Sequence, residues 1–202
     1  MSFPGKHLTS RPAGMTEQSA PSESRGPMPA PDDFSREPEK PLFALLDRLG
    51  LRTTTATHEK VFTVADSAKV KAHMPGGHTK NLFMKDKAGQ LVLVSALHSS
   101  QLPLNQLHKM LGTQRLSFTD AALLWEALGV TPGSVTGFAL MNDQAKRVRF
   151  VADEALLACE TLNFHPLRND MTTAISRGDF LGFVEATGHT LTPIDFTKLG
   201  PA

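Results

Sequence analysis

The chain has 202 residues, 40% of them hydrophobic and 20% charged, with 21 Lys+Arg against 20 Asp+Glu and a single cysteine. That length suits one domain, or one domain and a tail. A formal net charge of +1 excludes a nucleic-acid binder held by bulk basicity. Cys159 alone excludes an intramolecular disulfide framework or a cysteine-only metal site, and the longest nearly apolar run, Leu91 to Leu97, falls far short of the roughly 20 residues of a membrane helix.

Residues 1–38 hold seven of the 14 prolines and no Val, Ile or Trp. Such a segment cannot bury enough apolar surface to offset the entropy of ordering it, so it is expected to be a disordered extension preceding one folded domain over 39–202. The residues after Met1 are polar and proline-rich, without the apolar stretch of a secretory signal. With one cysteine, this points to a cytoplasmic protein.

Beyond Pro38, Leu42, Leu45, Leu46 and Leu49 fall at helical spacing and Gly50 follows as a stop. Thr53 to His58 reads as a strand, and Thr63 can cap a helix running to about Ala72. Lys80 to Asp86 and Gln90 to Ala96 read as strands joined by a tight turn at 87–89. Pro103 opens a helix with Leu104, Leu107 and Leu111 as its apolar stripe, and Gly112 closes it. Arg115 to Phe118 is a short strand, and Thr119 caps a helix to Leu128. After a Gly/Pro loop over 130–137, Phe138 to Met141 and Arg147 to Val151 read as a hairpin. Strands Thr161 to Phe164 and Met171 to Ile175 flank the polar segment 165–170, Ser176 caps a helix that Gly188 ends, and Thr190 to Phe196 is a last strand. Interspersed elements with several hairpins predict a single α+β domain with a mixed, largely antiparallel sheet.

The sequence lacks a dinucleotide-binding or Walker A glycine loop, a nucleophile elbow and a zinc-protease helix motif. His73 and His78 are spaced for a loop rather than for one metal-binding helix face, and Cys159, in an Ala/Leu-rich stretch, reads as a buried inert thiol. Three segments mix polar and glycine residues with strand formers. In 75–86, a Gly-Gly turn feeds a strand whose alternation puts Lys80, Leu82 and Met84 on one face, so the ammonium would sit at the edge of the core, in need of a partner, or reach out to solvent. In 129–137, glycines around Ser134 allow backbone N–H groups to point into a cavity, or make an ordinary turn. The third, 163–170 with Thr172 and Thr173, is a polar loop between strands.

Taken in order, His78-Thr-Lys-Asn-Leu-Phe-Met-Lys-Asp86, Gly129-Val-Thr-Pro-Gly-Ser-Val-Thr136 and Asn163-Phe-His-Pro166 with Thr172-Thr-Ala-Ile-Ser176 resemble the YbaK/prolyl-tRNA-synthetase-associated editing domains. The branch they most resemble is the freestanding alanyl-tRNA(Pro) deacylases, ProXp-ala. The resemblance spans about residues 41–196. It implies a curved, barrel-like mixed sheet surrounded by helices, and hydrolysis of the ester between a wrong amino acid and the 3′ end of tRNA(Pro), most simply alanine. A deacylase for Ser-, Thr- or Cys-tRNA and a non-catalytic module for a tRNA end are the alternatives. The implied partners are the charged 3′ end of tRNA(Pro) and prolyl-tRNA synthetase, with no membrane, DNA, cofactor or metal.

By the same resemblance Lys80 is the central lysine, and Gly133 opens a loop that here ends in Gly137 where the family has proline. Backbone N–H groups of Gly133 and Ser134 would form an oxyanion hole. Thr79, Asn81 and His165 would position the substrate, and Leu82, Phe83 and Phe164 would wall a small pocket or belong to the core. A proline at position 137 is expected to be tolerated.

Overall fold

The computed structural model describes residues 25–30, 33, 35–58 and 74–198. Residues 1–24 and the helix expected from Thr63 to about Ala72 lie outside them. Helix α1 (Glu39–Arg48) buries Leu42 and Leu46, four residues apart on one face. The strands are β1 (Thr53–Thr57), β2 (Gly77–Lys85), β3 (Leu91–Leu97), β4 (Ser117–Phe118), β5 (Val148–Asp153), β6 (Thr161–Phe164), β7 (Met171–Ser176) and β8 (Leu191–Ile194). They form one sheet in the order β1-β7-β6-β2-β3-β5-β8, with β4 on the far half of β2. It is mixed, as expected, and open at β1 and β8. Pairs β1–β7, β2–β3, β2–β4 and β6–β7 are antiparallel; β2–β6, β3–β5 and β5–β8 are parallel.

One expected hairpin does not form. Residues Gly137–Asn142 make a 3₁₀ helix, entered where the Thr136 hydroxyl accepts from the Phe138 N–H at 3.3 Å. Phe138, Ala139 and Leu140 are all buried, so the segment has no alternating face to lay on a sheet. Strand β5 therefore runs parallel to β3 and β8, reached through α2 (Leu104–Leu111), β4 and α3 (Ala121–Leu128). Asp120 caps α3, accepting from the Leu123 N–H at 2.8 Å, one residue later than expected. A four-residue helix, α4 (Glu154–Leu157), occupies the Ala/Leu-rich stretch, and α5 (Arg177–Ala186) follows its Ser176 cap.

Alternation along the strands divides the core. Phe83, Leu93, Phe150, Leu162, Phe164 and Ile175 point to one face, which α1, α3, the 3₁₀ helix and α5 cover. Met84, Val92, Val94 and Val151 point to the other, where Leu107 and Leu111 of α2 meet them. On the first face Phe138, Phe164, Phe180 and Phe183 are fully buried and interlock, with Phe164 stacked on Phe180 at 4.4 Å between ring centroids. Burying each such ring contributes on the order of 1.5–3 kcal/mol.

The described residues before α1 touch the domain. The Arg25 guanidinium donates to the carbonyls of Glu126 (3.0 Å) and Asn142, the Trp125 indole donates to the Gly26 carbonyl at 2.9 Å, and Arg36 lies over the Trp125 ring, 5.2 Å from its centroid. The expectation of an unpacked extension up to residue 38 therefore does not hold for these residues.

Candidate active site

The site begins at the start of β2. Gly76 has φ +114, and a Cβ there would stand 2.6 Å from the Thr161 carbonyl oxygen; a Cβ on Gly77 would stand 2.8 Å from Cys159 Sγ. Two glycines thus let β2 approach β6 closely enough to pair in parallel, Gly77 with Leu162 and His78 with Asn163. Cys159 itself is half-buried rather than enclosed.

Register then fixes which side chains share a face. Lys80 sits opposite Ala96, and His78 beside Asn163, which lies opposite Ala174. Lys80, His78, Asn163 and Thr172 accordingly belong to the face of the second core cluster, at the end that cluster leaves polar. Leu82, also on this face, is half-buried against that cluster. Thr79, Asn81 and Phe83 alternate to the opposite face.

The Lys80 ammonium donates to the Ser100 carbonyl. Burial pushes its pKa below the ordinary lysine value, and the nearby Asp153 carboxylate opposes that shift. The Thr79 hydroxyl donates to the Asn163 carbonyl at 2.8 Å, and the Asn81 amide donates back to the Thr79 hydroxyl at 3.2 Å. Ser95 donates to the Asn81 side-chain oxygen at 2.6 Å. Asn163 donates from its side chain to the Pro75 carbonyl at 3.2 Å, while its side-chain oxygen is buried without a partner.

His165 follows β6. Its Nδ1 lies 2.9 Å from the Met171 carbonyl, which can only accept, so Nδ1 carries the proton and Nε2 of the neutral ring is an acceptor. Burial is the main cause that holds its pKa below the ordinary histidine value. His58 places its ring 6.5 Å from that of His165 and its Nε2 2.9 Å from the Thr172 hydroxyl. Between β6 and β7, Arg168 makes paired bonds to Asp170 (2.6 and 2.7 Å) and reaches both Glu39 oxygens at 3.1 Å, so it ties the loop to α1. These bonds raise its already high pKa.

Gly133 has φ +89, and a Cβ there would meet the Asn169 side chain at 3.1 Å. The glycine loop therefore packs on the 165–170 segment. Ser134 departs from expectation: its N–H donates to the Thr131 carbonyl at 3.0 Å, closing a turn, so that group is not open to a substrate. Its hydroxyl is fully buried and without a partner. Phe83 and Phe164 are 4% and 1% exposed within the first core, which removes them as pocket walls. No hydrogen bond among the described residues joins Lys80 to Gly133 or Ser134; they belong to two clusters, one on Ser100 and Asp153, the other on Asn169.

Sequence reasoning missed Asp153 and Ser100, while Asn169 lies in the polar 163–170 segment it singled out. Asp153 had a signal, because Asp-Glu-Ala-Leu-Leu reads as a capped helix start. Ser100 acts through its carbonyl, which no residue pattern marks. Among the described residues, no group of three or more His, Cys, Asp or Glu side chains is placed to hold a metal ion, and no helix is long and apolar enough to cross a membrane.

An α+β domain with a half-buried lysine on the central strand of its sheet and a glycine loop on a polar hairpin defines a class that the comparisons make specific. The family model "Aminoacyl-tRNA editing domain" matches residues 58–183. The chain is 41% identical over 158 residues to "Prolyl-tRNA synthetase associated domain-containing protein 1" of Bos taurus, covering 76% of this chain and 92% of that one. It is 31% identical over 155 residues to "Prolyl-tRNA editing protein ProX" of Acetoanaerobium sticklandii, covering 76% and 94%. A crystal structure described as "a putative trans-editing enzyme for prolyl tRNA synthetase" superposes with a TM-score of 0.60 at 16% identity, covering 78% and 96%; at that identity the likeness is one of fold. The chain belongs to the aminoacyl-tRNA editing domain family.

Proposed function

We propose that the protein is a trans-editing deacylase that hydrolyses the ester of mischarged tRNA(Pro), with alanine as the preferred wrong amino acid. The observation that carries this reading is Lys80: a half-buried ammonium at the polar end of a sheet face, on the strand that the family model covers. An aminoacyl ester is already activated, so the protein needs to orient it and stabilise the charge of the tetrahedral intermediate rather than supply a strong nucleophile. Water, oriented by the site and the neighbouring ribose hydroxyl, attacks the carbonyl carbon, the C–O bond to the terminal ribose breaks and the amino acid leaves with the water oxygen in its carboxyl group. The departing oxygen takes a proton.

In this reading Lys80 holds the terminal nucleotide and offsets the developing charge. The Gly133 N–H serves the oxyanion, while the Ser134 N–H is spent on Thr131 and its hydroxyl is buried beneath the loop. Thr79, Asn81 and His165 position the substrate. Alanine is the reading because a synthetase pocket built for proline rejects a smaller apolar residue by only about 1–3 kcal/mol, a gap that a second, smaller site corrects. The names of the relatives support tRNA(Pro) and prolyl-tRNA synthetase as partners, and the reaction belongs in the cytoplasm.

The test is a deacylation panel with tRNA(Pro) charged with Ala, Ser, Cys or Pro. Ala-tRNA(Pro) should turn over fastest and Pro-tRNA(Pro) should survive. Lys80→Ala should reduce kcat/KM by roughly 100-fold or more with little change in melting temperature, as for a lost transition-state electrostatic contact. Equal rates across the panel would overturn the specificity, and unchanged turnover in Lys80→Ala the mechanism.

A further inference from the structure

Asp153 ends β5 and is 2% exposed. A carboxylate buried to that degree is costly unless its lone pairs are used. One oxygen, Oδ1, accepts from the Ala155 N–H at 3.0 Å and caps α4. The other, Oδ2, accepts from the Leu97 N–H at 3.1 Å and from the Ser100 hydroxyl at 2.5 Å. Capping a four-residue helix needs only the first oxygen, and a serine or asparagine would do it as well. The second oxygen gathers the end of β3 and the turn after it. That turn carries the carbonyl to which the Lys80 ammonium donates.

We propose that Asp153 and Ser100 are positioning residues for Lys80: the buried carboxylate anchors the 97–100 turn, and the Ser100 carbonyl fixes where the ammonium stands. A lysine has a flexible four-carbon stem and three N–H donors. The carbonyl engages one donor and leaves two for substrate. The turn is held at both ends of its span, at Leu97 and at Ser100, by one oxygen atom, so a shift of the carbonyl breaks a partly buried hydrogen bond to the carboxylate. The ionisable residues on the neighbouring elements are His78 and Lys85 on β2, His98 in the turn, Arg149 and Asp153 on β5, and Glu154 on α4. Of these, Asp153 is the one that acts electrostatically on Lys80. This inference rests on the reading of Lys80 as the group that meets the tRNA ester.

The experiment uses the full chain and Ala-tRNA(Pro), with Lys80→Ala as reference and kcat, KM and melting temperature measured for each variant. Ser100→Ala keeps the carbonyl and removes its anchor; kcat should fall about 10-fold with KM within about twofold, because a misplaced group is felt mainly in the transition state. Ser100→Thr restores the hydroxyl and should return kcat to within about twofold of wild type. Asp153→Asn keeps the shape and removes the charge, so the alkaline limb of the kcat/KM profile should move to lower pH. Equal kcat in Ser100→Ala and Ser100→Thr, or an unmoved alkaline limb in a folded Asp153→Asn, overturns the positioning role. If Asp153→Asn does not fold, the Ser100 pair decides alone. Loss of the underlying reading looks different: wild type would be inactive, or Lys80→Ala would match it.

Discussion

At Gly137 a Cβ would lie 2.9 Å from Cζ of Phe180 and 3.1 Å from Cε1 of Phe164. Both rings are fully buried and stacked on one another, so neither can yield cheaply. The residue heads the 3₁₀ helix and its φ lies outside the left-handed region, so a side chain there meets no backbone strain of that kind. The obstacle is space. Gly137→Pro and Gly137→Ala should each destabilise the protein by about 1–3 kcal/mol, the usual cost of overpacking a core. Chemical denaturation would show it as a lower midpoint; a proline variant as stable as wild type would mean the aromatic cluster relaxes freely. The same residue shows what a one-dimensional reading cannot contain. Lys80 and Gly133 stand out in the sequence by type and by motif, whereas the spending of the Ser134 N–H on Thr131, the Ser100 carbonyl under Lys80 and the rings over Gly137 are decided by distant parts of the chain.

Among the elements, those with local signals were legible. The Leu stripe of α2 and the Ser176 cap of α5 come out close to where they were expected, because capping and periodicity act within one or two turns. The 138–141 segment did not, since a run of four apolar residues carries no period and its fate is set by burial against α5 and β6. The N-terminal segment is the larger case. Its composition is that of a disordered tail, yet Arg25 bridges the last turn of α3 and the end of the 3₁₀ helix, which bracket the glycine loop. A cleft of about 240 Å³ remains between it and Trp125, lined also by Gly129 and Val130. Removal of residues 1–38 should therefore lower the melting temperature by about 2–8 °C, since losing roughly 1–2 kcal/mol shifts a domain of this size by about 2–4 °C per kcal/mol. Trp125→Ala should cost less in the truncated protein than in the full chain, where it also loses Gly26 and Arg36. Additive losses, or an unshifted transition on truncation, would show that these contacts contribute nothing to stability.

For the molecule as a whole, the charge sets how it meets RNA. A chain of net charge +1 neutralises few phosphates at once. Each phosphate contact adds a little under one unit to the slope of log affinity against log salt, so the slope for uncharged tRNA(Pro) should be shallower than about 5. A steeper slope in a filter-binding or anisotropy titration would reveal a concentrated basic face. Recognition would then owe less to the fit of the 3′ end than the near-neutral surface implies.

The parallel pairing of β2 with β6 also sets an order in time. Gly77 meets Leu162 and His78 meets Asn163, partners more than 80 positions downstream. During synthesis β2 and β3 can close their hairpin early and β4 can join at Met84 and Lys85, but the end of β2 at Gly77 and His78 stays unflanked on its other side until β6 has left the ribosome. Loops of that span are slow to close, and an unpaired strand edge is open to other chains meanwhile. The strand that bears Lys80 is thus among the first to be made and among the last to be completed, so newly made chains would gain activity only after translation has passed residue 164.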